Sequence, residues 1–263
     1  MGLFSNKKKP CPNCGKATPR LFAVKIADEM PVCSDCGKKI SMAETKLAQL
    51  SVEELKEHLV WREENAKQLK EVFRPNFSAD IAWTSLNIDE ANQLFTLPIH
   101  ECGDLKNPPI FKYEELNAYE LHDKHGLIEF CNRGDATPQL TSAAHTPVIL
   151  DSDRRRNSKG RQLDISRDFK LHLFLSNPYW DKVEANAGNV LASEYVFPEE
   201  YTAFLEKFSP VTFALAAMMG VDATTYVMDA DTIAEEIKKF EELLDGGIIT
   251  EEEFNAKKEQ LLG

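Results

Sequence analysis

Four of the six cysteines in this 263-residue chain fall in one short stretch, CPNCGKATPRLFAVKIADEMPVCSDCG. Cys11 and Cys14 form one CxxC pair and Cys33 and Cys36 a second, with 18 residues between the pairs. Two residues between thiolates let one tight turn set both sulfurs on one edge of a tetrahedron, the arrangement a structural zinc ion takes. Gly15 and Gly37, each directly after the second cysteine of its pair, suit the open backbone of such a turn. A thioredoxin-like redox pair would need a single CxxC beside a βαβ pattern, which is absent. An iron–sulfur cluster accepts four thiolates but is less common with this symmetric spacing. Catalytic zinc keeps an open coordination position, and four cysteines leave none. The expected cofactor is therefore one structural Zn2+ per chain, held by Cys11, Cys14, Cys33 and Cys36. A module of about 40 residues buries too little apolar surface to fold alone, so metal binding, worth roughly 10–16 kcal/mol, would supply its folding energy.

The elements that position these thiols read outward from them. The segment LFAVKIADEMPVC suggests two short strands around a turn near Asp28 and Glu29, bringing the two CxxC turns together. From Ile40 to Phe73 the pattern is helical. Ser51 and Glu54 form a capping box, Leu55, Leu59, Arg62, Ala66, Leu69 and Phe73 give a loose stripe, and Pro75 stops it. Residues 77 to about 190 are rich in short strand-like runs: DIAWTSLNI, QLFTLPI, NAYELH, LIEFC and FKLHLFLS, separated by turn signals. FPEEYTAFLEKF then starts a helix, and Ser209-Pro210 is expected to restart a second one, closed by Gly220. The fold class is α+β: a zinc ribbon at 1–40, a helical linker at 41–75, a β-rich domain with its C-terminal helices at 76–222, and a helical hairpin at 231–263. Short strands with closely spaced turns favour a small barrel or sandwich for the middle.

In the hairpin, Ile233, Ile237, Phe240 and Leu244 lie on one helix face and Gly246-Gly247 stops it. Thr250 to Glu253 is a second capping box, with Ile249 and Phe254 at the positions of a hydrophobic staple, and Leu261 continues the apolar side of the second helix. These seven apolar residues are the candidate assembly surface, because a hairpin of this size must pack its face on the body, on another copy or on a partner.

Three resemblances add to this reading. CPNCGK and VCSDCGK resemble a zinc-ribbon family of unknown function common at the front of bacterial and phage proteins, which implies a zinc-bound fold and no activity. IKKFEELLDGGIITEEEFNAKKEQLL resembles the SHOCT family, whose short C-terminal hairpins imply oligomerisation. IFKYEELNAYELHD and the strand order around it resemble bacterial pleckstrin-homology-like (PH-like) domains.

Other candidate chemistry is sparse. His122 and His125 with Asp123 could hold a metal, but they flank a turn and read as exposed polar residues. Arg154, Arg155 and Arg156, with Lys159 and Arg161, read as a long polar loop whose guanidinium groups could contact an anion or an acidic partner. No phosphate-binding glycine loop, GxSxG elbow or HExxH helix is present, so no catalytic residue is assigned and a non-enzymatic role is expected. A pocket lined by His122, His145 or His172 would point to an enzyme instead. The net charge of −12 argues against a uniformly nucleic-acid- or membrane-binding surface, although residues 1–40 carry +5. A basic ribbon acting with the arginine stretch makes nucleic-acid binding the alternative reading, and binding would then fall steeply with salt. MGLFSNKKKP lacks a signal-peptide core, and no run reaches the roughly 20 apolar residues of a membrane span, so cytoplasmic location without membrane insertion is expected. The sum is a zinc-binding modular protein, of bacterial or phage origin, forming a homo-oligomer or docking to a protein partner.

Overall fold

The computed structural model describes residues 9–19, 21–99, 104–123, 126–141, 154–156, 159, 162–192, 198–223, 227–228, 230–247 and 249–262. The chain folds as two compact units, one of Met1–Leu116 with Phe174–Val183 and one of Asn117–Leu173 with Glu184–Gly263.

The first unit opens with the expected pair of short strands, β1 (Lys25–Ile26) and β2 (Met30–Pro31), paired antiparallel around the turn at Ala27–Glu29. Two one-turn helices follow, α1 (Ser34–Gly37) and α2 (Glu44–Leu47), and then the long α3 (Val52–Glu71). The Ser51 hydroxyl accepts from the Glu54 N–H, and the Glu54 carboxylate accepts from the Ser51 N–H, completing the capping box. Leu55 and Leu59 of α3 share one buried cluster with Ile26, Val32, Ile40, Met42, Leu50 and three of the ribbon cysteines. The ribbon and α3 are thus one core, which is why the boundary drawn at residue 40 does not coincide with a change of unit.

Polar anchors tie α3 to the chain around it. His58 is fully buried, and its Nε2 accepts from the Ser41 N–H at 3.0 Å. Burial, reinforced by the Arg62 guanidinium, holds that imidazole neutral by pushing its pKa down to about 3. The Asn65 amide donates to Asn107 Oδ1 and the Pro108 carbonyl, and its oxygen accepts from the Ile110 N–H. Trp180 Nε1 donates to the Ser41 carbonyl at 3.1 Å, and the Tyr179 ring meets His58 edge-on. A four-stranded antiparallel sheet completes this unit: β3 (Phe77–Ile81), β4 (Thr84–Asp89), β5 (Leu94–Thr96) and β6 (Phe111–Lys112). The run DIAWTSLNI is not one strand. Ala82 takes φ 44° and the chain turns at Ala82 and Trp83, leaving the indole almost wholly exposed at the hairpin tip.

The second unit is built on a seven-stranded sheet: β7 (Leu116–Asp123), β8 (Gly126–Asn132), β9 (Gln139–Leu140), β10 (Arg154–Arg156), β11 (Gln162–Leu175), β12 (Lys182–Ala192) and, after the helix α4 (Pro198–Met218), β13 (Val227–Met228). The order runs β10-β11-β7-β8-β9-β13, with β12 also paired to β11. Alternation is clean on β11, where Phe169, Leu171 and Leu173 are fully buried and Lys170 and His172 point the other way. The helix α4 covers the buried face through Phe204, stacked on Phe169 at 3.9 Å, and through Phe208, Val211 and Leu215.

Three expectations change here. Arg154–Arg156 is not a loop but an edge strand, because Arg154 pairs with Ile165 and Arg156 with Gln162. Pro210 does not restart a helix but lies inside α4. Proline cannot donate to the Glu206 carbonyl four residues back, and the Ser209 hydroxyl donates to it instead at 2.7 Å, so the helix continues to Met218, with Gly220 in the turn beyond it. On β8, Ile128 and Glu129 are both buried although they are adjacent. Leu121 faces Glu129 while His122 faces Leu127, so Ile128 is an extra residue, a bulge that turns Glu129 inward. There Glu129 accepts from the Tyr119 hydroxyl at 2.6 Å.

The last two helices, α5 (Ala230–Asp245) and α6 (Glu251–Leu262), lie against one another, consistent with the expected hairpin. The Thr250–Glu253 capping box is present, with the Glu253 carboxylate accepting from the Thr250 N–H at 2.8 Å. Ile237, Phe240, Leu244, Ile249 and Phe254 are half-buried; the side chains of Ile233 and Leu261 fall outside the described set. No helix among the described residues is long and apolar enough to cross a membrane.

Candidate metal centre

The two CxxC turns are made by different local structures. In the first, the Gly15 N–H donates to the Cys11 carbonyl and the Cys11 N–H to the Lys16 carbonyl, closing a loop that needs φ +73° at Gly15. In the second, Cys33 precedes α1 and the Gly37 N–H returns to its carbonyl at 2.8 Å. Gly37 serves closeness rather than an open turn: a Cβ there would sit 3.1 Å from Val24 Cγ2, the residue leading into β1.

Together these turns bring Cys11, Cys14, Cys33 and Cys36 into one cluster with all four sulfurs within 4.8 Å of one another. Cys14 Sγ is 3.5 Å from Cys33 Sγ and 3.7 Å from Cys36 Sγ. Those separations are far too long for a disulfide of about 2.05 Å. They match the edge of about 3.8 Å for a tetrahedron with metal–sulfur bonds of about 2.3 Å. Cys11, Cys33 and Cys36 are buried and Cys14 is exposed, so the cluster sits at the ribbon surface with its back to the core.

The electrostatics fit a cation. Burial pushes the Cys11 thiol up, but the backbone N–H groups of Cys33, Cys14 and Asn13 outweigh it and bring it down to about 6. Burial and the neighbouring sulfurs push Cys36 the other way, up to about 12, although Asn13 Nδ2 donates to its sulfur at 3.3 Å. Four thiols this close resist ionising together unless a positive ion joins them, and four soft sulfur donors suit zinc. A Lys16–Asp35 ion pair of 2.6 Å spans the two turns at the rim. The four cysteines read from the spacing are thus brought together, as a site that could hold a metal ion.

The remaining candidates fare differently. Cys131 is fully buried, its thiol pushed to about 12 by burial, and behaves as a core residue; Cys102 lies outside the described residues. His125 and His145 also lie outside them. His122 is not an exposed turn residue: it sits within β7, its side chain 25% exposed, beside His172 of β11. Sequence spacing could not pair two histidines 50 residues apart, although both fall on the polar alternation of their strands. The backbone of Arg154–Arg156 is placed in β10, and the acidic or anionic contact expected of its side chains concerns groups outside the described set.

Comparison with known families agrees at both ends of the chain. Residues 9–58 match a family model described as a domain of unknown function, DUF4428, and this span contains all four clustered cysteines. Residues 235–262 match the model described as Short C-terminal domain, SHOCT. Neither match reaches residues 76–222, so the PH-like resemblance finds no support there. No curated protein and no solved structure matches the chain significantly. The chain thus joins a segment matching DUF4428, which carries the four-cysteine cluster, to a segment matching SHOCT at residues 235–262.

Proposed function

We propose that this protein is a non-catalytic modular scaffold. Structural zinc in the four-cysteine cluster folds its N-terminal module, and its C-terminal hairpin assembles copies of the chain or docks to a protein partner. The observation that carries this reading is the sulfur cluster, whose spacing suits a closed tetrahedral site with no position left for substrate. The SHOCT match and the half-buried Ile237, Phe240, Leu244 and Phe254 support an assembly role for the hairpin. Cytoplasmic location follows from the same reading, since reduced thiols are the form that binds zinc.

Native mass spectrometry of the full chain tests both halves, because it counts subunits and ions together. A closed oligomer carrying at least one zinc per chain is the expected result, with deletion of Asp231–Gly263 lowering the subunit number while zinc is retained. An oligomer of unchanged size after that deletion refutes assembly by the hairpin.

A further inference from the structure

We propose that Glu120, His122 and His172 form a second divalent-metal site, for a first-row cation such as Zn2+, on the outer face of the seven-stranded sheet, with the Glu184 carboxylate beside His172.

The placement follows from strand alternation. Glu120 and His122 are two apart on β7, so they share a face, while Tyr119 and Leu121 are fully buried on the other. His172 lies between buried Leu171 and Leu173 on β11, which pairs with β7. Glu184 lies between buried Val183 and Ala185 on β12, which also pairs with β11. Three strands thereby contribute four chemistry-bearing side chains to one row.

The atoms converge. Glu120 Oε2 is 2.7 Å from His122 Nε2 and 3.7 Å from His172 Nδ1, and the two rings stand 4.6 Å apart. One atom from each of Glu120, His122 and His172 lies within 4.8 Å of the others, close enough for one ion to reach all three. On the far side of His172, Nε2 is 3.1 Å from Glu184 Oε2, and Lys170 holds Glu184 at 2.6 Å. On its other side, Nδ1 faces Glu120, which in turn meets His122 Nε2. Side-chain exposures of 25% for His122, 13% for His172 and 33% for Glu120 leave the row reachable from solvent yet restrained.

The donor set names the ligand class. Two imidazoles and one carboxylate suit Zn2+, Co2+, Ni2+ or Fe2+, whereas Ca2+ and Mg2+ select all-oxygen shells. Three protein ligands also leave a coordination position open, in contrast to the closed sulfur site. The chain then holds two ions of different character, one thiolate-bound in the first unit and one imidazole-bound in the second.

The test uses the full chain and Zn2+ or Co2+ as probes. Native mass spectrometry in excess zinc should count two ions per chain, and one in His122→Gln, His172→Gln and the double variant. Circular dichroism should be unchanged, since both side chains lie on a partly exposed strand face. With Co2+, one equivalent should give thiolate-to-cobalt charge-transfer absorption and the other only weaker ligand-field bands. Glu184→Gln should keep both ions but weaken the second in a chelator competition, because it removes a negative charge 3.1 Å from the ligating ring. A single zinc per wild-type chain, a second zinc retained in the double histidine variant, or a second cobalt with thiolate character would each overturn the proposal.

Discussion

Glu129 makes the sharpest quantitative test of how the second unit is held together. Its carboxyl is 4% exposed beneath the sheet, placed there by the bulge at Ile128. Burial drives its pKa from 4.5 up to about 7, against the opposing hydrogen bonds from the Tyr119 and Thr212 hydroxyls. The native state therefore favours the protonated acid more than the unfolded chain does. That contribution is complete below pH 4.5 and is lost as pH rises through 7. At about 1.36 kcal/mol per pH unit, the interval from 4.5 to about 7 amounts to about 3 kcal/mol of stability. Trp61, Trp83 and Trp180 all lie in the first unit, so tryptophan fluorescence is not a local probe of β7 and β8. Amide hydrogen exchange of these strands, corrected for intrinsic rates, is. Protection of these strands should fall by up to about 3 kcal/mol between pH 5 and 8 in the wild type and stay level in Glu129→Gln. At pH 8 the variant should be the more protected of the two. Equal pH slopes in both proteins would refute the reasoning, because the slope would then come from other groups.

The first unit should respond to pH in the opposite sense. The pKa of His58 lies near 3 in the fold against 6.5 when free, so its contribution is present above pH 6.5 and lost as pH falls toward 3. Fluorescence of Trp61 and Trp180 should show less acid destabilisation in His58→Gln than in the wild type, both measured with zinc held in excess. Cys14→Ser should abolish zinc at the sulfur cluster and remove exchange protection from residues 9–37 while leaving β7, β8 and α4 protected; full zinc occupancy there would contradict the ligand assignment. Asn65→Ala leaves the Ile110 N–H and Pro108 carbonyl without a buried partner and should cost about 2–3 kcal/mol in denaturant unfolding of the first unit. A loss below about 0.5 kcal/mol would mean water replaces the amide.

What could be read from the chain was local. Cysteine spacing, the Ser51–Glu54 and Thr250–Glu253 boxes and the turn at Asp28 each depend on residues close in sequence, and each stands where expected. What could not be read depends on distant pairing. Arg154–Arg156 looks like a solvated loop until Gln162–Ile165 supplies its ladder partners. Pro210 reads as a break because the compensating Ser209 hydroxyl is a matter of rotamer and not of pattern. Glu129 belongs by alternation on the outer face, and only the unequal register of β7 and β8 reverses it. The same holds for His122 and His172, whose meeting follows from the pairing of β7 with β11.

The stretch that carries Asn177, Tyr179 and Trp180 has a consequence for the order of events during synthesis. The unit that holds the four cysteines is not contiguous: it ends at Leu116 and resumes only at Phe174–Val183. Until that return segment has left the ribosome, the Ser41 carbonyl lacks the Trp180 indole, the ring of Tyr179 is missing beside His58, and the Ala43 N–H lacks the Tyr179 carbonyl. Those roughly 70 residues take about 4–14 s to make at common elongation rates of about 5–20 residues per second. The nascent ribbon can gather its four thiols around an ion within that time, before the aromatic lid over α3 exists. Metal capture would then precede completion of the fold it anchors, and the opening residues would depend on metal supply early in translation.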